Sequence, residues 1–225
     1  MLLHIPHVLN KQDVARLGAE LAAHDWVDGG RSSGAQAAAL KNNLQFPVES
    51  PAFAGLSQRI AEALSRHPLF ISAVLPRHML PPMFNCYNGG GRYGNHVDNA
   101  LQRDRFTGLQ VRTDVSTTVF LSEPEAYEGG ELIIEDSYGE HEVKLAAGDA
   151  IVYPATSLHR VEPVTQGARL AAFLWTQSWV RDASQRKLLF DLDMNILKLR
   201  AQLGDSEEVL GLTNTYHNLL RQWSE

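Results

Sequence analysis

Between about residues 69 and 179 the chain is built from short runs rich in β-branched and aromatic residues, punctuated by Gly, Pro and Asn turns. These runs lie near 69–75, 79–87, 93–98, 116–122, 131–136, 141–146, 149–153, 159–164 and 168–178. Many short strands with no helical stripe between them predict an antiparallel sandwich or barrel rather than βαβ units. The segment 99–115 breaks the pattern. It is polar and charged and long for a structureless connection, a length at which loops serve as lids or binding loops.

The flanks read differently. Leu3 to Leu9 is a short apolar run with the character of a strand. Asn10 then caps a helix that carries Val14, Leu17 and Leu21 on one face. Asp28 to Gly34 is a loop by composition. Ser50-Pro51 starts a second helix, a capping hydroxyl followed by a residue that needs no amide partner. Phe53, Leu56, Ile60 and Leu64 form its apolar stripe, and His67-Pro68 ends it. After Val180, Leu189, Leu192, Ile196, Leu199 and Leu203 form one stripe. Gly204-Asp205-Ser206 breaks it, and Val209, Leu212, Tyr216, Leu219 and Trp223 form another. The fold class is therefore α+β. An N-terminal α/β segment, 1–77, packs on a β core, 78–178, and a helical hairpin, 179–225, follows. Such a hairpin cannot bury both stripes alone, so it packs on the sandwich or on a second copy in a homo-oligomer.

Composition removes several function classes. Hydrophobic residues make up 44% of 225, enough for a core, and the formal charge of −6 gives no general footprint for nucleic acid or anionic membrane. The single cysteine, Cys86, excludes an intrachain disulfide framework and a Cys-rich zinc site. The N-terminus MLLHIPHVLN lacks the pattern of a signal peptide, and no apolar run is long enough to span a bilayer, so a cytoplasmic protein is expected.

The chemistry concentrates around His96-Val97-Asp98. On a strand, residues i and i+2 share a face, so an imidazole and a carboxylate can share one metal. His159, on a later strand, supplies a third donor. Two histidines and one carboxylate on one side of a metal leave the other side open, the facial arrangement of non-haem Fe(II) oxygenases. Ten residues on, Arg169 shares a strand face with Ala171, Phe173 and Trp175. Facing the barrel interior, it would need an anionic partner, and a bound dicarboxylate provides one. Gly89-Gly90-Gly91 has no following Gly-Lys-Ser/Thr and is a flexible turn rather than a phosphate loop. His4, His7, His24, His67, His78 and His217 lack a comparable arrangement, and His141 sits on a solvated strand. Arg77, Arg92, Arg103, Arg105 and Arg112 are expected around the mouth of the site, where they would attract an anionic substrate.

These residues resemble the Fe(II)/2-oxoglutarate-dependent dioxygenases, in particular the bacterial PKHD-type hydroxylases of the prolyl/lysyl hydroxylase superfamily. The resemblance is carried by His96-Val97-Asp98, Glu128-Gly129-Gly130-Glu131-Leu132, Ala147-Gly148-Asp149-Ala150-Ile151-Val152-Tyr153-Pro154, His159 and Arg169. It implies a double-stranded β-helix (jelly-roll) core with N-terminal helices and the C-terminal hairpin outside. It implies His96, Asp98 and His159 as ligands of Fe(II), and Arg169 as the residue that binds 2-oxoglutarate. Tyr87 corresponds to a pocket tyrosine and Trp175 to an aromatic lining the cosubstrate pocket. The implied reaction is hydroxylation of an unactivated C–H bond with decarboxylation of 2-oxoglutarate to succinate. Dioxygen is the oxidant and L-ascorbate the reductant that maintains the iron. Asp98 fills the position that halogenation would need vacant. One departure stands out: where animal oxygen-sensing relatives carry a cosubstrate-binding tyrosine on the strand matching 117–121, this chain has Phe120. The resemblance leaves the substrate open between a peptide side chain and a siderophore-like small molecule, the latter through a link of bacterial members with iron acquisition. Two other readings use the same residues: a non-catalytic jelly-roll sensor of metal or 2-oxoglutarate, and a Zn(II) hydrolase. The hydrolase would need a general base beside the metal, and spacing offers none.

Overall fold

The computed structural model describes residues 1–32 and 40–225, so the end of the loop expected over Asp28 to Gly34 lies outside the described residues. The N-terminal part supplies strand β1 (Leu3–Ile5), helix α1 (Lys11–Ala22) and the two-residue strands β2 (Val27–Asp28), β3 (Lys41–Asn42) and β4 (Leu44–Gln45). Helices α2 (Phe53–Arg66) and α3 (Pro68–Val74) follow. Next come β5 (Pro76–Met79), β6 (Met83–Asn88), β7 (Arg92–His96), β8 (Leu101–Arg103), β9 (Gln110–Arg112) and β10 (Val115–Phe120). They are followed by β11 (Tyr127–Gly129), β12 (Leu132–Asp136), β13 (Gly139–Val143), β14 (Ala150–Pro154), β15 (His159–Val161) and the 15-residue β16 (Val164–Ser178). Helices α4 (Ala183–Leu203) and α5 (Glu207–Trp223) close the described chain.

Two antiparallel sheets face each other. The major sheet runs β1-β14-β10-β16-β6-β4-β2, with β5 and β11 also pairing with β16, and the minor sheet runs β13-β12-β15-β7-β3. This is the jelly-roll expected from the sequence. The N-terminal segment is woven into it: β1 pairs with β14, β3 with β7 and β4 with β6. Strand alternation then sorts the side chains of the major sheet. Phe84, Ala172 and Leu174 face out and are covered by Leu17, Leu21, Leu56, Ile60 and Leu64 of α1 and α2. Tyr87, Phe120, Ile151 and Tyr153 face in, against Leu132, Ile134 and Val161 of the minor sheet.

Several local expectations hold. The Asn10 side chain accepts from the amide of Asp13 at the start of α1, and Asp182 and Ser206 cap α4 and α5 in the same way. Others change. The run expected as a strand near 69–75 is helix α3, with Pro68 in its first turn and Phe70, Ala73 and Val74 buried at helical spacing. Pro68 thus ends α2 and also opens the next helix, since its missing amide is an orphan there anyway. A short apolar run cannot be told from a buried helix by its periodicity. Helix α2 begins at Phe53 without a side-chain cap, and Ser50 Oγ instead accepts from the amide of Ala52 (3.3 Å). The long connection 99–115 contains a hairpin of its own, β8 with β9.

The C-terminal hairpin packs on the body. Leu189 of α4 lies with Leu75 and Val180, and Tyr216, Leu219, Leu220 and Trp223 of α5 close over them. No helix among the described residues is long and apolar enough to cross a membrane. Leu189 is fully buried and Leu188 is 59% exposed. We therefore expect Leu189→Ala to cost about 2–5 kcal/mol and Leu188→Ala less than about 0.5 kcal/mol in thermal or urea unfolding. Equal effects at the two positions would refute this docking of the hairpin.

Candidate metal centre and its pocket

The pairing of β7 with β15 sets the site. His96 and His159 are direct partners in that register, which brings their rings to 4.2 Å between centroids. Each ring is oriented by the same local device. His96 Nδ1 donates to the carbonyl of Gly94 (2.8 Å), and His159 Nδ1 donates to the carbonyl of Ser157 (3.0 Å). A carbonyl only accepts, so Nδ1 carries a proton in both rings and Nε2 is the nitrogen turned to the site. Tyr93 stacks on His96 at 3.6 Å, and Tyr153 meets His159 edge-on at 5.1 Å. His96 is held neutral, with its pKa lowered to about 4, first by burial and then by neighbouring His159.

Asp98 arrives differently from the sequence expectation. β7 ends at His96, so Asp98 lies just past the strand and not on it. Its carboxylate still turns inward: Oδ1 lies 3.9 Å from His159 Nε2, and Oδ2 accepts from the hydroxyl of Ser116 on the opposite sheet. Donor atoms of His96, Asp98 and His159 all lie within 4.8 Å of one another. Two imidazoles and one carboxylate on one wall form a donor set that could hold a divalent transition metal with positions left open.

The same pocket, about 590 Å³, also holds Arg169, Tyr87 and Trp175. Arg169 is 1% exposed, and its Nε has no hydrogen-bond partner. Its guanidinium lies 5.5 Å from the ring centre of Tyr87 and 5.1 Å from that of Phe120. Asp98, the one carboxylate among the lining residues, sits against His159 and not against this cation. A buried guanidinium without a carboxylate is costly, and the cost is met when an anion enters. The arginine owes its position to a small neighbour. Gly130 has a φ of +69°, and a Cβ there would come 3.1 Å from Arg169 Cδ and 2.7 Å from Val164 Cγ2. Tyr87 pairs with Arg169 across β6 and β16, and burial pushes its hydroxyl up to about 12, so it is a neutral phenol. Burial likewise raises Tyr153 well above the ordinary value. Trp175 lines the pocket edge-on to Phe173, 5.6 Å between ring centres.

The predicted arginine cluster divides. Arg103 and Arg105 line the pocket. Arg112 pairs with Asp114 (2.7 Å) and Glu225 (3.2 Å), and Arg77 donates to the Glu225 carbonyl (2.7 Å). Arg92 is exposed on β7 and is not among the lining residues. Sequence reasoning missed Ser116, Tyr93, Tyr153 and the function of Gly130. A signal for Ser116 existed, since Ser116 and Thr118 are polar residues on one face of a strand that is buried throughout. Cys86 is half-buried and free.

Comparison with known proteins finds relatives along the whole chain. Residues 82–177 match the 2OG-Fe(II) oxygenase superfamily, and residues 183–225 match the PKHD-type hydroxylase C-terminal domain. A PKHD-type hydroxylase of Hyphomonas neptunium is 62% identical over 225 residues, covering 100% of both chains. Among solved structures, a Pseudomonas putida prolyl-4-hydroxylase is similar in fold, with TM-score 0.52, 22% identity, and coverage of 79% of this chain and 92% of that one. HygX from Streptomyces hygroscopicus, solved with nickel, 2-oxoglutarate and hygromycin B bound, has TM-score 0.52 and 19% identity, covering 80% and 84%. The chain belongs to the PKHD-type hydroxylases, within the 2OG-Fe(II) oxygenase superfamily.

Proposed function

We propose that His96, Asp98 and His159 hold Fe(II), and that Arg169 binds the distal carboxylate of 2-oxoglutarate in the pocket they share. The enzyme is then an Fe(II)- and 2-oxoglutarate-dependent dioxygenase that hydroxylates an unactivated C–H bond while 2-oxoglutarate is decarboxylated to succinate. One observation carries the assignment of roles: a guanidinium 1% exposed and without a carboxylate partner lines the same pocket as the two histidines and Asp98. The bound iron supplies the oxidising chemistry, together with dioxygen and the cosubstrate.

The chain supplies position and exclusion of water. The Gly94 and Ser157 carbonyls hold the two imidazoles in the ligating tautomer. Ser116 holds one oxygen of Asp98, which leaves the other to face the metal. Arg169 fixes the cosubstrate at its far end, and neutral Tyr87 beside it offers a hydroxyl without adding charge. Phe173 and Trp175 form an apolar wall further along β16, where Trp175 pairs with Ser116 beside Asp98. Phe120, on the strand where animal oxygen-sensing relatives carry a tyrosine, contributes a ring face to the guanidinium. In this reading residues 78–178 carry the chemistry, with 1–77 and 179–225 as flanking supports. A metal-dependent hydrolase is not favoured, because among the described residues no second carboxylate lines the pocket as a general base.

The test is anaerobic purification, Fe(II) loading, and succinate formation from 2-oxoglutarate on admitting air, with ascorbate present. We expect metal-dependent succinate in the wild type and its loss in Asp98→Ala; full activity in that variant sinks the ligand assignment. Arg169→Ala should raise the 2-oxoglutarate concentration needed by far more than it weakens metal binding. Gly130→Ala should act in the same direction, since its Cβ meets the arginine stem. An unchanged cosubstrate requirement in both would refute the role of Arg169. Ser116→Ala should weaken metal affinity about 10–100-fold with the fold intact, read by Mn(II) titration.

A further inference from the structure

The hairpin β8–β9 sits at the mouth of the pocket, and its charges are sorted. Asp104 is the acid between Arg103 and Arg105, and its side chain is 5% exposed. Its Oδ2 accepts from His78 Nε2 of β5 (2.7 Å), and its Oδ1 accepts from the amides of Phe106 (2.8 Å) and Thr107 (3.1 Å). Burial opposes its ionisation, but His78 and these two amides outweigh that and hold the carboxyl below its usual range. The acid is thus turned into the protein and fully occupied. Its two neighbours are exposed and line the pocket.

Neither arginine forms an ion pair among the described residues. Arg103 Nε donates to the carbonyl of Gly108 (3.3 Å), and the Arg105 guanidinium lies 5.4 Å from the ring centre of Phe53. The hairpin that carries them is fixed at both ends. Thr113 donates its amide to the carbonyl of Ala100 (3.0 Å) and its hydroxyl to the carbonyl of Asn99 at the base. At the tip, Phe106 packs against Phe53 at 6.4 Å between ring centres. Lys41 and Arg169 line the same pocket, so four lysine and arginine side chains face it among the described residues. Among the described residues no carboxylate besides Asp98 lines the pocket, although the chain as a whole carries −6.

We propose that Arg103 and Arg105 are specificity-determining residues that bind an anionic group, carboxylate or phosphate, on the primary substrate. The inference rests on the dioxygenase reading of the pocket in one respect. A divalent metal, the Asp98 carboxylate, the two carboxylates of 2-oxoglutarate and the Arg169 cation cancel, so the bound cosubstrate leaves the charge at the mouth unneutralised. A hairpin whose only acid is withdrawn and whose arginines are held in place presents that charge to the next ligand to enter. The mouth also attracts anions from solution against the net charge of the protein.

The experiment uses the full chain loaded with Mn(II) and 2-oxoglutarate without dioxygen. Binding of propane-1,2,3-tricarboxylate and of glycerol phosphate is followed by calorimetry and by tryptophan fluorescence. The uncharged propane-1,2,3-tricarboxamide and glycerol are titrated beside them. The affinity for 2-oxoglutarate is measured in every variant. We expect at least one anion to bind and its neutral partner not to. Arg103→Gln/Arg105→Gln should weaken the anion about tenfold or more, Arg103→Lys/Arg105→Lys much less, and salt raised from about 20 to about 300 mM should weaken it as well. Preference for the tricarboxylate or for the phosphate identifies which anion is read. Failure of 2-oxoglutarate itself to bind would fault the dioxygenase reading. Normal 2-oxoglutarate binding with no anion binding, or with anion binding unchanged in the glutamine double variant, overturns this proposal alone.

Discussion

A positive charge is enclosed in the middle of this protein. Arg169 is 1% exposed between two aromatic rings, with its Nε unpartnered. A hydrophobic core tolerates such a group only when the surrounding fold is rigid enough to keep it there and a function repays it. The rigidity comes from β16, whose 15 residues pair with β10 on one side and β6 on the other. Gly130 leaves room for the arginine stem. The two histidines stand on the facing sheet. The pocket is the space between these two commitments: a cation on one sheet and a donor set on the other.

Much of this was legible in the sequence because the relevant residues break their surroundings. His96, Asp98, His159 and Arg169 are polar groups in a stretch whose pattern is that of buried strands, and a buried polar group needs a reason. The antiparallel sandwich and the C-terminal hairpin follow from hydrophobic periodicity, which is a local signal. Helix α3 was not legible because seven apolar-rich residues fit a strand and a buried helix equally well, and only packing decides. The i, i+2 spacing predicts Asp98 on the strand, since the two positions share a face there. The strand ends two residues earlier, and a loop brings the carboxylate to the same place. Ser116 and Gly130 act through partners far along the chain, so no window of sequence contains their function.

The arginines near the pocket show the same limit. Proximity in sequence predicts five at its mouth, yet Arg77 and Arg112 serve to fasten the end of the described chain through Glu225. What separates Arg103 and Arg105 from the rest is the burial of the acid between them, which depends on His78 of another strand. Charge composition could not show this. By length alone the segment 99–115 reads as a lid or binding loop. Its hairpin has the fixed base and anchored tip of a recognition element, and the basis for that is hydrogen bonding and not length.

The bond from Ser116 to Asp98 crosses from the major sheet to the donors of the minor one. An ion seated among His96, Asp98 and His159 would therefore act as a clasp over the open rim of the sandwich, tying together two walls that otherwise meet there without a shared strand. Binding energy gained at that clasp is folding energy for the whole barrel, about 2.7 kcal/mol when free metal exceeds its dissociation constant a hundredfold. Iron supply would then set how long this protein survives as well as whether it turns over.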